Sequence, residues 1–492
     1  MMQSSFPVGL ALFLGSVYMA VLVYIGMRTT KQASTSFQSF AIANKSLGLL
    51  VLAMTGLATS SGAGFVFGHT ERWARLGVVS WWAGAPEGIG LILMALVVAP
   101  FAYKFSVNSV PEMIDSMFLK DRFLRGAMAL IMATYAWGIV GAQIKATGMF
   151  ASSVLGLSGF LINAIVAAVF VLYTMAGGLW AVAYTDVMQG FCGGFFLFLF
   201  WGSCLSRVGF DIPRVWSSVR AIDPELTNIV RGGFGGVAGP TLTKIIGVFA
   251  WNSYWIRCAF GAKDKRSARG GLMIGGILTA VVITMTGLIA LVGLSLRPDL
   301  KSEAVMGWLI STTPPFIAAG FTVALLAATM STADSVLHDA SILFCNDILF
   351  QQGRQRVSDA TRIATTRWII VVGGILALFA SMTKYPMVDY VLKVFTVAGG
   401  SVVPVVATIL VWRHANRKPV ETRVSVWGAR AGLIVGTVVS AVCEFVPAGA
   451  RWAKPFGGGI IPAFVVTVIV TVLVSLVSPG NAVPESPDAA SA

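Results

Sequence analysis

"TGLATSSGAGF" at residues 55–65 and "GVFAWNSYW" at residues 247–255 each interrupt a segment that is otherwise apolar enough to cross a membrane. The first is rich in Gly and Ser, which are weaker helix formers than Ala or Leu. The second places Asn252 and Ser253 among apolar residues. An unwound stretch inside a bilayer is tolerated only where it is buried in protein or lines a cavity, because its backbone groups must be hydrogen-bonded. We therefore expect both helices to be broken at a site.

The second interrupted segment lies five predicted spans after the first. An odd offset makes the two segments cross the membrane in opposite directions. Interrupted helices at matching positions of two inverted halves are typical of secondary transporters. The alternative is that the small Gly and Ser residues only allow close packing between intact helices.

The composition indicates a polytopic α-helical membrane protein. Of the 492 residues, 56% are hydrophobic and 11% are charged, whereas a soluble protein has about 25% charged residues. Many apolar runs reach the roughly 20 residues that a spanning helix needs, while a β-barrel would show alternating strands of about ten residues. The longest polar connection, 207–243, is too short for a large soluble domain.

The apolar runs predict about 13 membrane-spanning helices. Lys and Arg are more frequent in alternate connections, which predicts an N-terminus outside and a C-terminus in the cytoplasm. The net charge of +14 is then explained by cytoplasmic loops, not by nucleic acid. The predicted spans are 7–27, 46–68, 78–102, 126–152, 158–180, 185–206, 243–261, 270–296, 315–345, 367–383, 387–411, 428–446 and 458–477.

Residues 173–190, "YTMAGGLWAVAYTDVMQG", resemble the signature of the sodium:solute symporter family, which includes proline, pantothenate, sialic acid and sugar transporters. Three other stretches are similar to further parts of that family: "ATSSGAGFVFG" at 58–68, "YWIRCAFGAKDKRSAR" at 254–269 and "MSTADSVLHDASILFCNDI" at 330–348. The matching signature positions are Tyr173, Thr174, Gly177, Gly178, Leu179, Ala181, Val182, Thr185, Asp186 and Gln189.

The resemblance implies an all-α membrane fold of the leucine-transporter type, in which two sets of five helices form an inverted repeat. It places the first set in 46–206 and the second in 243–411, followed by two accessory helices in 428–477. Residues 1–478 then form one transmembrane domain. The small, polar tail 479–492 is expected to be disordered.

The resemblance also implies a sodium site between the first and eighth core helices. Hard oxygen ligands suit sodium, and the ligands implied here are three backbone carbonyls and two hydroxyls. The alternative for the hydroxyls is a hydrogen bond to the carbonyl groups of their own helix. The carbonyls are those of Ala58, Ser61 and Ala328, and the hydroxyls are those of Ser331 and Thr332.

Asp186, Asp334 and Ser335 match the level at which two-sodium relatives bind a second cation. Here Asp334 stands where such relatives have a hydroxyl, so two carboxylates are expected close together. A second mobile cation, a proton or a fixed basic side chain would balance them, and we favour the mobile cation. His338 and Asp339 follow one turn later, either lining the ion exit path or forming a structural pair.

The substrate is expected at the membrane midplane, against the two breaks. Lys244 and Arg257 are interpreted as span-end residues whose charges reach the interface. Lys145 and Lys393 are expected either to neutralise Glu87 or Asp389 or to attract an anionic substrate. Asp347 is interpreted as a helix-end residue facing water. The candidate substrate residues are Gly62, Phe65, Glu87, Gln143, Trp251, Asn252 and Tyr254.

These features predict a secondary transporter of the plasma membrane that takes up a small organic solute with sodium by alternating access. A carboxylate or amino acid is favoured, and a neutral sugar or urea-like solute, with sodium or proton coupling, is the alternative. A channel is a more distant alternative. No enzymatic motif and no other metal site are found in the sequence. The expected partners are the solute and the lipid bilayer, with no nucleic acid, for a monomer or weak oligomer.

Overall fold

The computed structural model describes residues 7–60, 62–153, 158–351, 357–382, 387–412 and 422–478, and for residues 63–65, 149–153 and 387 it describes the backbone alone. The tail 479–492, expected to be disordered, lies outside these ranges. Within them the chain is helical, and its extended pairing is limited to the isolated bridge between Leu47 and Ala262.

The described residues form twenty α-helices, numbered here in chain order. The first ten are α1 (Val8–Ala33), α2 (Phe37–Ile42), α3 (Leu49–Ser60), α4 (Ala63–Leu76), α5 (Pro86–Val97), α6 (Ala99–Ala102), α7 (Val110–Met117), α8 (Arg122–Ser153), α9 (Gly159–Ser206) and α10 (Ile212–Ile222). The second ten are α11 (Gly233–Ala250), α12 (Asn252–Tyr254), α13 (Lys265–Leu296), α14 (Val305–Ser311), α15 (Pro315–Leu343), α16 (Asp359–Ala380), α17 (Met387–Val411), α18 (Val426–Phe445), α19 (Pro447–Ala453) and α20 (Ile460–Val477). Wider π-helical turns, Trp255–Phe260 and Phe344–Leu349, extend α12 and α15.

Both predicted interruptions are present. Helix α3 ends at Ser60 and α4 begins at Ala63, with Gly62 between them at φ −58° and ψ 157°. Helix α11 ends at Ala250, and Trp251 is extended at φ −86° and ψ 97° before α12 begins. The chain is therefore unwound at the two places where the sequence contains polar and small residues within an apolar run.

Ten helices of the described chain are long and apolar enough to cross a membrane. Helix α9 has 48 residues, and at about 1.5 Å per residue it is too long for one crossing. It contains two of the predicted spans and bends at Gly178, where φ is +51°. The connection between these two spans therefore lies at Gly178, and the predicted position at 181–184 is wrong because those residues are helical. Helix α11 begins at Gly233, ten residues before the predicted span start at 243.

Helix α15 is the centre of the bundle and packs against α1, α3, α8 and α9. Its residues from Thr329 to Leu343 are buried on every side, so its polar side chains face protein rather than lipid. Small residues bring the neighbouring helices close: a β-carbon on Gly56 of α3 would lie 3.6 Å from the α-carbon of Gly275 on α13. Glycine therefore lets the backbones of α3 and α13 approach each other closely beside the central helix.

Hydrogen-bonded N-caps fix several helix starts in the connections. Ser36, Ser109 and Ser358 accept backbone N–H groups of the helices that follow them. Asp264 caps α13 at the exposed end of that helix by accepting from the N–H of Ser267 at 2.7 Å. That backbone hydrogen bond holds the pKa of the Asp264 carboxyl below its usual value.

Candidate functional site

The predicted sodium ligands of α3 and α15 come together beside the first break. The Ser331 hydroxyl lies 3.1 Å from the Ala58 carbonyl oxygen, and the Thr332 hydroxyl donates to the same oxygen at 3.0 Å. Ser331 Oγ is also 3.1 Å from the Ala328 carbonyl oxygen. Ser61, the fifth predicted ligand, lies outside the described residues.

This arrangement differs from ordinary hydroxyl bonding within a helix. Thr332 bonds across to α3, and Ser331 contacts both α3 and its own helix. The hydroxyl and carbonyl oxygens are hard, uncharged ligands, which suit a monovalent cation that must bind and leave again. The residues present therefore have the chemistry that a sodium ion requires.

Arg257 lies immediately beneath this cluster. Its side chain is buried at 1% exposure, and Nη1 donates to Thr59 Oγ1 at 2.8 Å and to Thr55 Oγ1 at 3.3 Å. The same nitrogen donates to the hydroxyl of Ser335 and lies 3.7 Å from Asp186 Oδ2. The interpretation of Arg257 as a span-end residue reaching the interface is therefore wrong, because its partners lie on α3, α9 and α15.

The two carboxylates predicted at this level are both buried and close to hydroxyl donors. Thr55 donates to Asp186 Oδ2, and the Tyr173 hydroxyl donates to Asp334 Oδ2 at 2.5 Å. The other oxygen of Asp186, Oδ1, is buried without a hydrogen-bond partner in the described part of the chain. A buried carboxylate oxygen in this state is poorly solvated and would be stabilised by a cation.

Glu87 and Lys244 form a second buried cluster, beside the second break. Lys244 Nζ lies 2.7 Å from Glu87 Oε2, and both side chains have 0% exposure. The Tyr254 hydroxyl is 3.4 Å from Glu87 Oε1, and Lys244 Nζ lies 4.5 Å from the centre of the Phe395 ring. Lys244 therefore does not extend to the interface as predicted. Because it is on the helix facing α5, it neutralises Glu87.

Four aromatic rings surround this pair and are called the aromatic cluster below: Tyr135, Trp251, Tyr254 and Phe395. The ring of Trp251 meets Tyr254 at 5.0 Å, Phe395 at 5.8 Å and Tyr135 at 6.2 Å, in each case steeply inclined. Such edge-to-face pairs are favourable for aromatic rings. The aromatic cluster gives the buried ion pair an apolar wall.

Gly62 and Gln143 lie beside the predicted sodium ligands of α15. A β-carbon on Gly62 would lie 2.7 Å from Gln143 Cδ and 2.6 Å from Thr332 Oγ1. The first break, a glutamine side chain of α8 and the hydroxyl of α15 therefore meet at one point. The side chain of Phe65, also predicted here, is outside the described part of the structure.

Asn252 is placed away from the ion pair. Its side-chain oxygen accepts from the N–H of Val110 at 3.0 Å, and its amide donates to Asp339 Oδ1 at 2.6 Å. These bonds tie α12 to α7 and α15. His338 is hydrogen-bonded to the carbonyl oxygen of Phe40 at 3.0 Å. His338 and Asp339 therefore bond to different helices rather than to each other.

The remaining predicted charges have other partners than expected. Lys393 lies 3.4 Å from Glu444 Oε2. Asp389 pairs with Arg72 and with Arg75. Lys145 is partly exposed and interacts with Glu71. In the described part of the chain Glu87 is neutralised by Lys244, and Asp389 by Arg72 and Arg75, because opposing helices bring these charges close.

Asp347 does not face water as predicted. It is fully buried and accepts from Arg125 Nε at 2.7 Å, while Arg125 Nη1 lies 3.2 Å from Asp115 Oδ2. The π-helical turn at the end of α15 carries Asp347 into the bundle beside α7 and α8.

Several residues of these clusters were not predicted from the sequence as site residues: Thr55, Thr59, Tyr135, Tyr173 and Phe395. Tyr173 is the first matching residue of the 173–190 signature, which was a usable signal. Thr55 and Thr59 are four residues apart and so share a helix face. Nothing in the local sequence of Tyr135 or Phe395 distinguishes them from packing aromatics.

A cavity of about 300 Å³ borders the predicted sodium ligands. Ala58, Ala328 and Ser331 line one end of it, and the rest of its wall is mostly apolar side chains of α3, α9, α13 and α15. An apolar wall of this kind does not provide the polar contacts that a hydrophilic solute needs.

Comparison with known proteins agrees with this arrangement. A family profile described as "Sodium:solute symporter family" matches residues 40–436 of this chain. The osmoregulated proline transporter OpuE of Bacillus subtilis is 25% identical over 94% of this chain and 94% of its own. The sodium/pantothenate symporter of Escherichia coli is 25% identical over 86% of this chain and 88% of its own.

Solved structures show the same architecture. A Na⁺-coupled sialic acid symporter in its outward-open state matches with a TM-score of 0.80 at 15% identity, over 96% of this chain and 99% of that one. A nucleobase-cation-symport-1 family transporter matches with a TM-score of 0.58 at 14% identity, over 92% and 98%. The all-α fold of the leucine-transporter type expected from the sequence is thereby confirmed. This chain belongs to the sodium:solute symporter family, and it takes up a solute together with sodium.

Proposed function

We propose that the transported sodium ion is held by the carbonyls of Ala58, Ser61 and Ala328 and the hydroxyls of Ser331 and Thr332. The observation that carries this proposal is the convergence of both hydroxyls on the Ala58 carbonyl at the first break, at 3.1 and 3.0 Å. Because these ligands lie on two helices, a bound ion would join α3 to α15. Release of the ion would free the two helices to move apart.

Asp186, Asp334 and Ser335 couple this site to α9. The two carboxylates and the Arg257 guanidinium together carry one net negative charge, which one sodium ion balances. Arg257 donates to Ser335, the residue expected to hold a second cation. The fixed positive charge of Arg257 takes the place of the second mobile cation that the sequence favoured. It therefore supports coupling to a single mobile cation.

The solute occupies the space between the two breaks. Gly62, Phe65, Gln143 and the side chains of Glu87, Trp251 and Tyr254 line it, with Asn252 fixing the position of α12. A carboxylate or amino acid is supported by the buried lysine and the aromatic wall. A neutral sugar or urea-like compound is the second candidate.

The protein acts as a transporter without catalysing a reaction, as do the relatives to which it is similar. It lies in the plasma membrane with its N-terminus outside, its C-terminus in the cytoplasm and no nucleic-acid partner, as a monomer or weak oligomer. The inverted repeats are 46–206 and 243–411, each including one broken helix, and 428–477 adds two accessory helices. The breaks in α3/α4 and α11/α12 support this division.

Thermal unfolding of the purified protein tests the sodium site without knowledge of the solute. Sodium chloride should raise Tm in a saturable manner relative to N-methyl-D-glucamine chloride, since an ion that binds only the folded state stabilises it. A stabilisation of equal size by both salts would contradict a specific sodium site. Uptake into proteoliposomes with and without a sodium gradient then tests coupling.

A further inference from the structure

We propose that Lys244 and Glu87 form the polar half of the substrate site and that the solute is a small zwitterion with no net charge. Its carboxylate binds the ammonium group of Lys244, and its own ammonium group binds the carboxylate of Glu87. This inference rests on the substrate region proposed above and defines the chemical class of the solute.

The position of the ion pair is the first support. Lys244 lies on α11, two turns before the break at Trp251, and Glu87 lies in the first turn of α5. Tyr254, on the far side of the same break, reaches Glu87 at 3.4 Å. The pair therefore touches both sides of the unwound segment, where a transporter of this architecture can respond to its solute.

The burial of the pair is the second support. Both side chains have 0% exposure, and removing two charges from water costs free energy that their attraction often does not recover. A hydrophobic pair would hold α5 against α11 at least as well. The charges are better explained by a ligand that uses them.

The charge balance identifies the ligand class. Glu87 and Lys244 together have no net charge, so a solute with a net charge would leave an uncompensated charge in a low-dielectric site. A monocarboxylate could bind Lys244 but would separate it from Glu87 and leave that carboxylate unpaired. A zwitterion can insert between the two side chains and satisfy both.

The aromatic cluster accounts for the rest of the ligand. Phe395 already has a cation, Lys244 Nζ, 4.5 Å from its ring centre, and aromatic faces attract ammonium groups in general. Trp251 and Tyr135 provide an apolar wall for a short carbon skeleton. The distance between the charges of the solute should therefore be small, as in an α-amino acid or a betaine.

A ligand panel tests the class directly. Tm is measured with L-proline and glycine betaine, with N-acetyl-L-proline and L-prolinamide, which each lack one of the two charges, and with D-glucose. Every ligand is tested in sodium chloride and in N-methyl-D-glucamine chloride. At least one zwitterion should raise Tm, more strongly in sodium, while the singly charged analogues and glucose should not. A response to glucose or to a singly charged analogue, or no response to either zwitterion, would overturn the inference.

Variants locate the binding to this pair. Lys244→Met and Glu87→Gln each leave one buried charge unpaired, so the double variant Lys244→Met/Glu87→Gln is included because it leaves none. The double variant should require at least about tenfold more zwitterion for the same stabilisation, since charge-assisted hydrogen bonds are lost. The matched control is Lys393→Met/Glu444→Gln, which removes an ion pair between α17 and α18 and should keep the response.

The sodium response separates this inference from the sodium site. The double variant should keep the sodium-dependent rise in Tm measured without solute. A double variant that folds, responds to sodium and binds the zwitterion as wild type does would show that the pair is only structural. If sodium does not raise the Tm of the wild-type protein, the proposed sodium site is contradicted. The Tm response to the zwitterions then still tests the substrate class independently.

Discussion

Arg257 is a full positive charge held inside a membrane protein by hydroxyl groups and a neighbouring carboxylate. Thr55, Thr59 and Ser335 accept its hydrogen bonds, and Asp186 lies 3.7 Å away. A buried charge without such partners would be strongly destabilising. The residue therefore requires the polar groups of three helices, and those helices are held at one relative position by it.

The proposed sodium ligands give the first prediction. Ser331→Ala or Thr332→Ala should raise the half-maximal sodium concentration about tenfold or more, because a lost oxygen contact is worth roughly 1–2 kcal/mol. Sodium-dependent stabilisation of the purified variants measures this. Ser341→Ala is the matched control, since that hydroxyl bonds the Leu337 carbonyl of its own helix at 2.7 Å. Unchanged sodium activation in both test variants would remove the site from α15.

Asp186 gives the second prediction. Asp186→Ala should abolish sodium-coupled uptake with near-normal expression, because it removes the negative charge beside Arg257 and the acceptor of the Thr55 hydroxyl. Uptake and membrane expression are measured together, with Asp186→Asn to separate charge from size. A variant that does not accumulate in the membrane would identify Asp186 as a structural residue.

Variants of Asp334 test whether one or two mobile cations are transported with each solute. If Arg257 supplies the second positive charge, Asp334→Asn should weaken sodium binding but leave the charge moved per solute unchanged. Asp334→Ser should keep more transport than Asp334→Ala, because a hydroxyl can still bond Tyr173. Substrate-coupled current and tracer uptake in the same liposomes give the ratio. A lower ratio in Asp334→Asn would show that a second mobile cation is bound there.

At the scale of elements, α9 depends on one glycine. Gly178 has φ +51° and ψ −143°, a region that other residues adopt only with strain. A β-carbon there would also lie 2.7 Å from the carbonyl oxygen of Phe40. The bend between the two halves of α9 places Tyr173 and Asp186 at one level of the bundle, on either side of it.

Gly178→Ala should therefore destabilise the protein by about 1–3 kcal/mol through backbone strain. The measurement is Tm in detergent, with sodium present. Gly194→Ala on the same helix is the control, because a β-carbon there meets nothing within 4 Å. Equal Tm values for the two variants would show that α9 can bend without a glycine at this position.

Helix α15 shows why a polar membrane helix is stable. Its two buried aspartates, Asp334 and Asp339, accept hydrogen bonds from Tyr173 on α9 and Asn252 on α12. The helix is surrounded by protein, so these hydrogen bonds come from other helices and not from lipid.

At the scale of the whole molecule, the proposed orientation can be measured. Glu303→Cys lies in the connection between α13 and α14, and Ala360→Cys lies at the start of α16; both positions are exposed. An impermeant maleimide should label the first in intact cells and the second only after lysis. The unsubstituted protein is the control, since four of its five cysteines are buried. The opposite labelling pattern would invert the topology.

The sequence by itself determined the membrane class, most spans, both broken helices and the family. These features depend on local composition, since a run of apolar residues or an interruption by Gly and Ser acts within one segment. The sequence also named residues of α3 and α15 that the structure brings together, Ala58, Ser331 and Thr332, because the related stretches give their positions in the chain.

Only the tertiary structure decided which buried charges meet. Glu87 and Lys244 are 157 residues apart, and Arg125 and Asp347 are 222 apart. From the sequence of each helix alone, Lys244 and Arg257 were predicted to reach the interface and Asp347 to face water. A single helix shows only how far a side chain can reach. The partner of a buried charge depends on how helices pack, and packing sums the contacts of the whole bundle. That is why the span pattern follows from the chain alone and the ion pairs do not.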